Sequence, residues 1–108
     1  MDFKLKDKVV VVTGGALGIG EAITTTLANE GAIPVIVGKD LKDNLSLSDT
    51  LIAQGNKCDQ FVANLNDPQQ CKEVVKAITQ KSGNLHGLVN NAGINDGVGM
   101  VHGSYEGF

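Results

Sequence analysis

The apolar residues of this chain fall into short runs that alternate with amphipathic stretches. The first run, Val9-Val-Val-Val12, places four β-branched residues in succession, which is typical of a strand buried on both faces. We expect strands at about 8–13, 33–37, 57–63 and 87–90, and helices at about 18–30 and 43–54 and between Asp67 and Gly83. The chain is therefore predicted to alternate four strands with three helices.

The third helix has the clearest start and stop signals. Asp67 is expected to cap it, Pro68 suits its first turn, and Gln70 completes a capping box. Apolar residues then recur at the i, i+3, i+4, i+7 spacing of a helix face, at Cys71, Val74, Val75 and Ile78. Gly83 ends the pattern.

Strands that alternate with helices predict a parallel sheet. The fold class is α/β: a Rossmann-like doubly wound sheet with strand order 3-2-1-4, incomplete before a fifth strand. Residues 1–108 are too few for more than one domain, so we interpret them as the N-terminal dinucleotide-binding part of one. The ligand crevice is expected at the carboxyl ends of the strands, where the order reverses between strands one and four.

A glycine-rich turn joins the first strand to the first helix, with the spacing Gly14-x-x-x-Gly18-x-Gly20. A helix that begins this way leaves backbone N–H groups unpaired at its positive end, where they suit a phosphate or diphosphate. Glycine patterns also occur in plain turns, but a strand before and a helix after are the context that nucleotide binding requires.

Composition excludes several classes of partner. The net charge is −3, the nine basic residues are spread along the chain, and there is no Trp, so nucleic acid is not an expected partner. The N-terminus has no apolar signal region, and the apolar runs are too short for a membrane span. Cys58 and Cys71 lack metal-ligand or redox spacing, so we expect no metal site, and two unpaired thiols indicate the reducing cytoplasm.

Two motifs together resemble the short-chain dehydrogenase/reductase family. The stretch Thr13-Gly-Gly-Ala-Leu-Gly-Ile-Gly20 is similar to that family's cofactor turn, and Leu88-Val-Asn-Asn-Ala-Gly93 is similar to its second motif, about seventy residues later. Their co-occurrence is far more specific than either motif alone. The resemblance covers nearly the whole chain but only the N-terminal half of a family member, and it implies an NAD(P)-dependent oxidoreductase that acts on CH–OH groups.

A narrower resemblance points to a substrate. Three short stretches, Asp7-Lys-Val-Val10, Ala32-Ile-Pro-Val35 and Asn91-Ala-Gly-Ile-Asn-Asp-Gly-Val-Gly99, are similar to dehydrogenases of L-fucose and related 6-deoxy sugars. The resemblance therefore implies a sugar or another small polar secondary alcohol as the substrate of the complete enzyme. The likeness to the family also implies that the complete enzyme is a homo-oligomer.

Residue roles follow from the family resemblance. It implies that the cofactor phosphates and adenosine ribose contact Gly14, Leu17, Gly18, Ile19 and Gly20, that the adenine lies beside Asn64 and Leu65, and that the ribose and nicotinamide end borders Asn90, Ala92 and Gly93. Asn91 is interpreted as a structural residue that bonds backbone across strand four.

The end of strand two discriminates between the two nicotinamide cofactors. An acidic residue there accepts bonds from the ribose hydroxyls and selects NAD, but this chain has Gly38, followed by Lys39 and Asp40. Lys39 suits a 2′-phosphate, which favours NADP over NAD. Leu17, where NADP users often have a second base, and Asp40, which a shifted register would bring to the ribose, keep NAD as an alternative.

The family's chemistry uses an Asn on the helix after strand four, a Ser on strand five and a Tyr-x-x-x-Lys pair on a later helix. None of these is found in residues 1–108. Tyr105 is the only tyrosine and has three residues after it, so we assign no catalytic residue and expect no turnover by this chain alone. A non-catalytic nucleotide-binding module and an inactive fragment remain alternatives to the cofactor-binding part of an oxidoreductase.

Overall fold

The computed structural model describes residues 4–14 and 16–91, which form four strands and three helices in alternation. In chain order these elements are β1 (Val9–Thr13), α1 (Gly18–Asn29), β2 (Ile33–Gly38), α2 (Leu41–Ala53), β3 (Asp59–Val62), α3 (Pro68–Ser82) and β4 (Gly87–Asn90). Each predicted element is present, and the predicted ends differ by at most two residues, the largest differences being at α2 and β3.

The strands form one parallel sheet with the order β3-β2-β1-β4. The predicted α/β class and strand order are therefore confirmed. β1 lies between β2 and β4, and its four valines are all buried, as a strand covered on both faces requires.

Two apolar clusters cover the two faces of the sheet. One packs α3 against β1 and β2 through Val9, Val11, Val35, Val37, Ala63, Val74 and Ile78. The other packs α1 and α2 against the opposite face through Ala16, Ala28, Ile36, Leu47 and Leu51. Successive residues of β2 therefore point to different clusters, which is the period of two expected for a strand.

The start of β4 is fastened to the start of β1 by a histidine. The His86 Nδ1 accepts a hydrogen bond from the Val9 N–H at 2.9 Å, and the His86 N–H donates to the Val9 carbonyl at 2.8 Å. An unprotonated ring nitrogen accepts a hydrogen bond, as a carboxylate oxygen would. The His86 side chain can therefore act as the acceptor for the Val9 amide.

Candidate functional site

Three strands end at the same level of the sheet. Thr13, the last residue of β1, pairs with Val37 of β2 and with Asn90 of β4. Its hydroxyl lies 3.1 Å from the Asn90 Oδ1 and 3.3 Å from the Val89 carbonyl. Because the strands are parallel, the loops that follow them meet at this edge, where the crevice is predicted.

The turn after β1 is held from both sides. The Gly14 N–H donates to the Val37 carbonyl at 2.8 Å, and the Gly14 carbonyl accepts from the Asn91 Nδ2 at 3.1 Å. Asn91 is fully buried, and its Oδ1 has no hydrogen-bond partner among the described residues. The predicted structural role of Asn91 is therefore confirmed: its side chain fastens the end of β4 to the glycine turn.

The first turn of α1 has no side-chain cap. Its N-cap residue, Leu17, has extended backbone angles and makes no side-chain hydrogen bond to the helix. In contrast, α2 and α3 have the N-cap residues Asp40 and Asp67, whose carboxylates accept bonds from first-turn amides. Within residues 4–14 and 16–91, the amides that open α1 therefore have no side-chain cap, and they lie at the positive end of the helix dipole.

Gly20 brings α1 close to the turn that precedes it. A Cβ atom at this position would overlap the Gly14 carbonyl oxygen and would lie 2.6 Å from the Asn91 Nδ2. Glycine is therefore the only residue that fits here without a shift of the turn. The absence of a side chain at position 20 therefore lets α1 pack closely against the end of β1.

A cavity of about 310 Å³ opens between the start of α1 and the end of β2. Its lining contains three residues of the predicted cofactor site, Gly14, Leu17 and Lys39, together with Ala16, Gly38, Asp40, Asp43 and Asn44. The glycine turn and the discriminating end of β2 therefore face one common space.

Asp40 serves as the cap of α2. Its Oδ1 accepts from the Lys42 N–H at 3.0 Å and from the Asp43 N–H at 3.3 Å. Both cap bonds use the same carboxylate oxygen of Asp40. Lys39 and Asp40 are both exposed and both line the cavity, so a base and an acid stand together at the end of β2.

Gly18, Ile19 and Gly20, in the first turn of α1, do not line this cavity. Neither do the predicted residues at the ends of β3 and β4. The Asn64 Oδ1 accepts from the Asn66 N–H at 3.0 Å, and Leu65 packs against the apolar cluster between α3 and the sheet. The Asn90 Oδ1 is bonded to Thr13. Ala92 and Gly93 lie outside the described residues.

Neither the cysteines nor a metal cluster provides a second reactive site in the described part of the chain. Burial raises the pKa of the Cys58 thiol, so the unreactive protonated form is favoured. Across residues 4–14 and 16–91, no three His, Cys, Asp or Glu side chains are grouped so that they would hold a metal ion. Within the same ranges, no helix has the length and apolarity to cross a bilayer.

One buried polar residue of the site, Asn44, is missing from the sequence-based assignment. It lines the cavity from α2 and is almost fully buried. A signal was present, because residues 44, 47, 48 and 51 have helical spacing and share the buried face of α2. Of these four residues only Leu47 and Leu51 are apolar, so a periodicity of apolar residues alone leaves Asn44 out.

Comparison with known proteins agrees with this geometry. The model of the short chain dehydrogenase family matches residues 8–106. The chain belongs to this family. Among its relatives is the 3-oxoacyl-[acyl-carrier-protein] reductase FabG of Thermotoga maritima, 45% identical over 95 residues, which are 84% of this chain and 37% of that protein.

Solved structures of family members are also similar to the structure of this chain. The L-sorbose reductase of Gluconobacter frateurii, complexed with NADPH and L-sorbose, has a TM-score of 0.81 and 32% identity over 86% of this chain and 36% of that one. An NADH-dependent reductase complexed with NAD has a TM-score of 0.73 and 28% identity over 81% of this chain and 36% of that one. The matched residues of this chain therefore cover a little over a third of the length of each of these relatives.

Proposed function

We propose that this chain is the cofactor-binding part of an NAD(P)-dependent short-chain oxidoreductase. The observation that carries the proposal is the start of α1, whose first-turn amides have no side-chain cap and stand beside a cavity of about 310 Å³. Such a helix start attracts a diphosphate through unpaired N–H donors and the helix dipole. The bound nicotinamide would supply hydride transfer.

Individual residues have distinct parts in this proposal. Gly14, Leu17, Gly18, Ile19 and Gly20 form the diphosphate and ribose cradle. Leu17, which lines the cavity, and Ile19, in the first turn of α1, are more than half exposed, so they offer apolar surface that a bound ligand would cover. Asn64 and Leu65 are assigned to the adenine, and Asn90, Ala92 and Gly93 to the nicotinamide end.

NADP is the proposed cofactor, in preference to NAD. Position 38 has no carboxylate to repel a 2′-phosphate, and Lys39 stands exposed at the cavity rim. The acid that follows, Asp40, is engaged in capping α2. A lysine acts on phosphate as a point charge, so the preference rests on charge more than on a fitted geometry.

Cofactor binding is the first test of this function. The 108-residue chain is expected to bind NADPH saturably, as followed by the fluorescence of the reduced nicotinamide. Adenosine is the matched control ligand and should bind at least about tenfold more weakly, because it has no diphosphate for the α1 amides. An absence of NADPH binding up to about 1 mM, which corresponds to a binding free energy of about −4 kcal/mol, would reject the proposal.

A sugar, with L-fucose as the first candidate, is the proposed substrate class of the whole enzyme. The support is the likeness of three short stretches to 6-deoxy-sugar dehydrogenases, and the similarity to an L-sorbose reductase agrees with it. The cytoplasm is the proposed compartment, consistent with two free cysteines, and a homo-oligomer is the proposed state of the complete enzyme.

The substrate proposal has its own assay. An enzyme that contains this chain together with the family's Ser and Tyr-x-x-x-Lys is expected to reduce NADP with L-fucose at least about tenfold faster than with 2-propanol, because polar contacts to sugar hydroxyls add selectivity. The chain alone is expected to show no turnover. Equal rates with both alcohols would contradict the sugar assignment and leave cofactor binding intact.

A further inference from the structure

The side chain of Asn44 ties the ends of two strands together beneath the cavity. Its Nδ2 lies 3.1 Å from the Gly38 carbonyl, 3.1 Å from the Phe61 carbonyl and 3.3 Å from the Gln60 Oε1. All three neighbours are acceptors, so the NH₂ group of the amide must face them. The Asn44 Oδ1 therefore lies on the side of Gly38 that a Cβ atom would occupy.

The direction of the Asn44 Oδ1 leaves no room for a side chain at position 38. A Cβ atom on Gly38 would lie 2.8 Å from this oxygen, closer than a real Cβ approaches any atom. The Asn44 side chain is held in place, because the residue is only 1% exposed and the NH₂ group of its amide donates to two backbone carbonyls. Asn44 therefore occupies the space that a residue at position 38 would fill.

Position 38 is the strand end at which a carboxylate would accept bonds from the ribose hydroxyls and repel a 2′-phosphate. In this chain a neutral amide, presented from the neighbouring helix, fills the same space. A neutral group exerts no charge repulsion on a 2′-phosphate. Of the charged residues that line the cavity, Lys39, Asp40 and Asp43, Lys39 is the one that would attract it.

We propose that Asn44 is a specificity-determining residue, which holds position 38 to glycine and thereby keeps a carboxylate from the strand end that directly precedes Lys39. Cofactor preference is then a property of the Gly38–Asn44 pair together with Lys39. This inference rests on the proposed function, because it assumes that the cavity receives the adenosine end of a dinucleotide.

A double-mutant cycle tests the pair, with Gly38→Asp, Asn44→Ala, the double variant and the unmodified chain. The probes are ADP-ribose and 2′-phospho-ADP-ribose, titrated by calorimetry. The unmodified chain and Asn44→Ala are expected to prefer the 2′-phosphorylated probe. The double variant should reverse that preference to at least about tenfold in favour of ADP-ribose, because the new carboxylate then has room beside the ribose.

A second cycle with Gly38→Ala covers the case in which Gly38→Asp fails to fold. Gly38→Ala is expected to lower the melting temperature by about 5 °C or more with Asn44 present, and by less than half as much in the Asn44→Ala background. Ser46→Ala, at an exposed position of the same helix, is the control for the effect of alanine on α2.

The outcomes separate the inference from the function on which it rests. If Gly38→Asp alone reverses the preference as fully as the double variant, or if the two Gly38→Ala effects are equal, Asn44 does not restrict position 38 and the inference is wrong. If neither probe binds the unmodified chain, the proposed function fails and the specificity role fails with it. Non-additive melting temperatures would in that case report only the packing of the pair.

Discussion

Replacing Gly20 by alanine is expected to destabilise the protein by about 3 kcal/mol or more and to abolish dinucleotide binding. The added methyl group would overlap the Gly14 carbonyl and crowd the buried Asn91 amide. Neither neighbour can give way cheaply, because one is backbone and the two are hydrogen-bonded to each other. Relief requires α1 to move away from β1, which displaces the amides assigned to the diphosphate.

Gly83→Ala is the matched control for this substitution. Gly83 has a φ of 78° and open space around the position of its Cβ, so alanine there meets backbone strain but no neighbouring atom. We expect a loss of about 1 kcal/mol for the control. Thermal unfolding followed by circular dichroism should show a drop of more than about 10 °C for Gly20→Ala and a clearly smaller one for Gly83→Ala. Equal drops would mean that the close approach at Gly20 is unimportant.

Replacing Lys39 by glutamate is expected to weaken NADP binding by about 10- to 100-fold and to change NAD binding by only a few-fold. The physical reason is the loss of a charge-assisted contact of about 1.5–3 kcal/mol, together with repulsion between the new carboxylate and the 2′-phosphate. Competitive titration against NADPH fluorescence measures both constants on the same protein.

Lys72→Glu controls for the change of two units in net charge. Lys72 is an exposed residue of α3, which packs on the face of the sheet opposite to α1 and α2. A similar loss of NADP affinity in both variants would show that the effect is general electrostatics. If NADP binding by Lys39→Glu is unchanged, Lys39 is a solvated loop residue and the preference for NADP has lost its main support.

The strands and their order were predictable because the signals are local and repeated. The valines of β1 have no polar interruption, and Asp67, Pro68 and Gly83 delimit α3 as expected. Once strands and helices alternate, handedness and short connections leave few possible sheet orders. The cofactor turn was predictable for the same reason, since strand, glycine turn and helix follow each other in sequence.

Side-chain partners across elements were harder to predict. Gln70 was expected to complete a capping box with the backbone of Asp67, but its Oε1 accepts from the Asn64 N–H at 2.7 Å, while its Nε2 bonds the Asp67 carboxylate at 3.1 Å. The prediction was wrong because the loop after β3 returns over the start of α3, and no local spacing encodes that return. Local spacing also does not encode the partner of His86, because Val9 is 77 residues away.

The dual position of Asp40 matters for anyone who would redesign the coenzyme choice of this protein. The residue directly follows Lys39 and also caps α2, so exchanging it for a larger or basic group removes the carboxylate oxygen that accepts hydrogen bonds from two backbone amides at the head of that helix. A loss of about 1 kcal/mol in folding free energy is the usual consequence of removing such a residue. In a library that randomises this loop, many variants will therefore lose stability whatever their cofactor preference. Keeping aspartate at position 40 should raise the fraction of variants that fold.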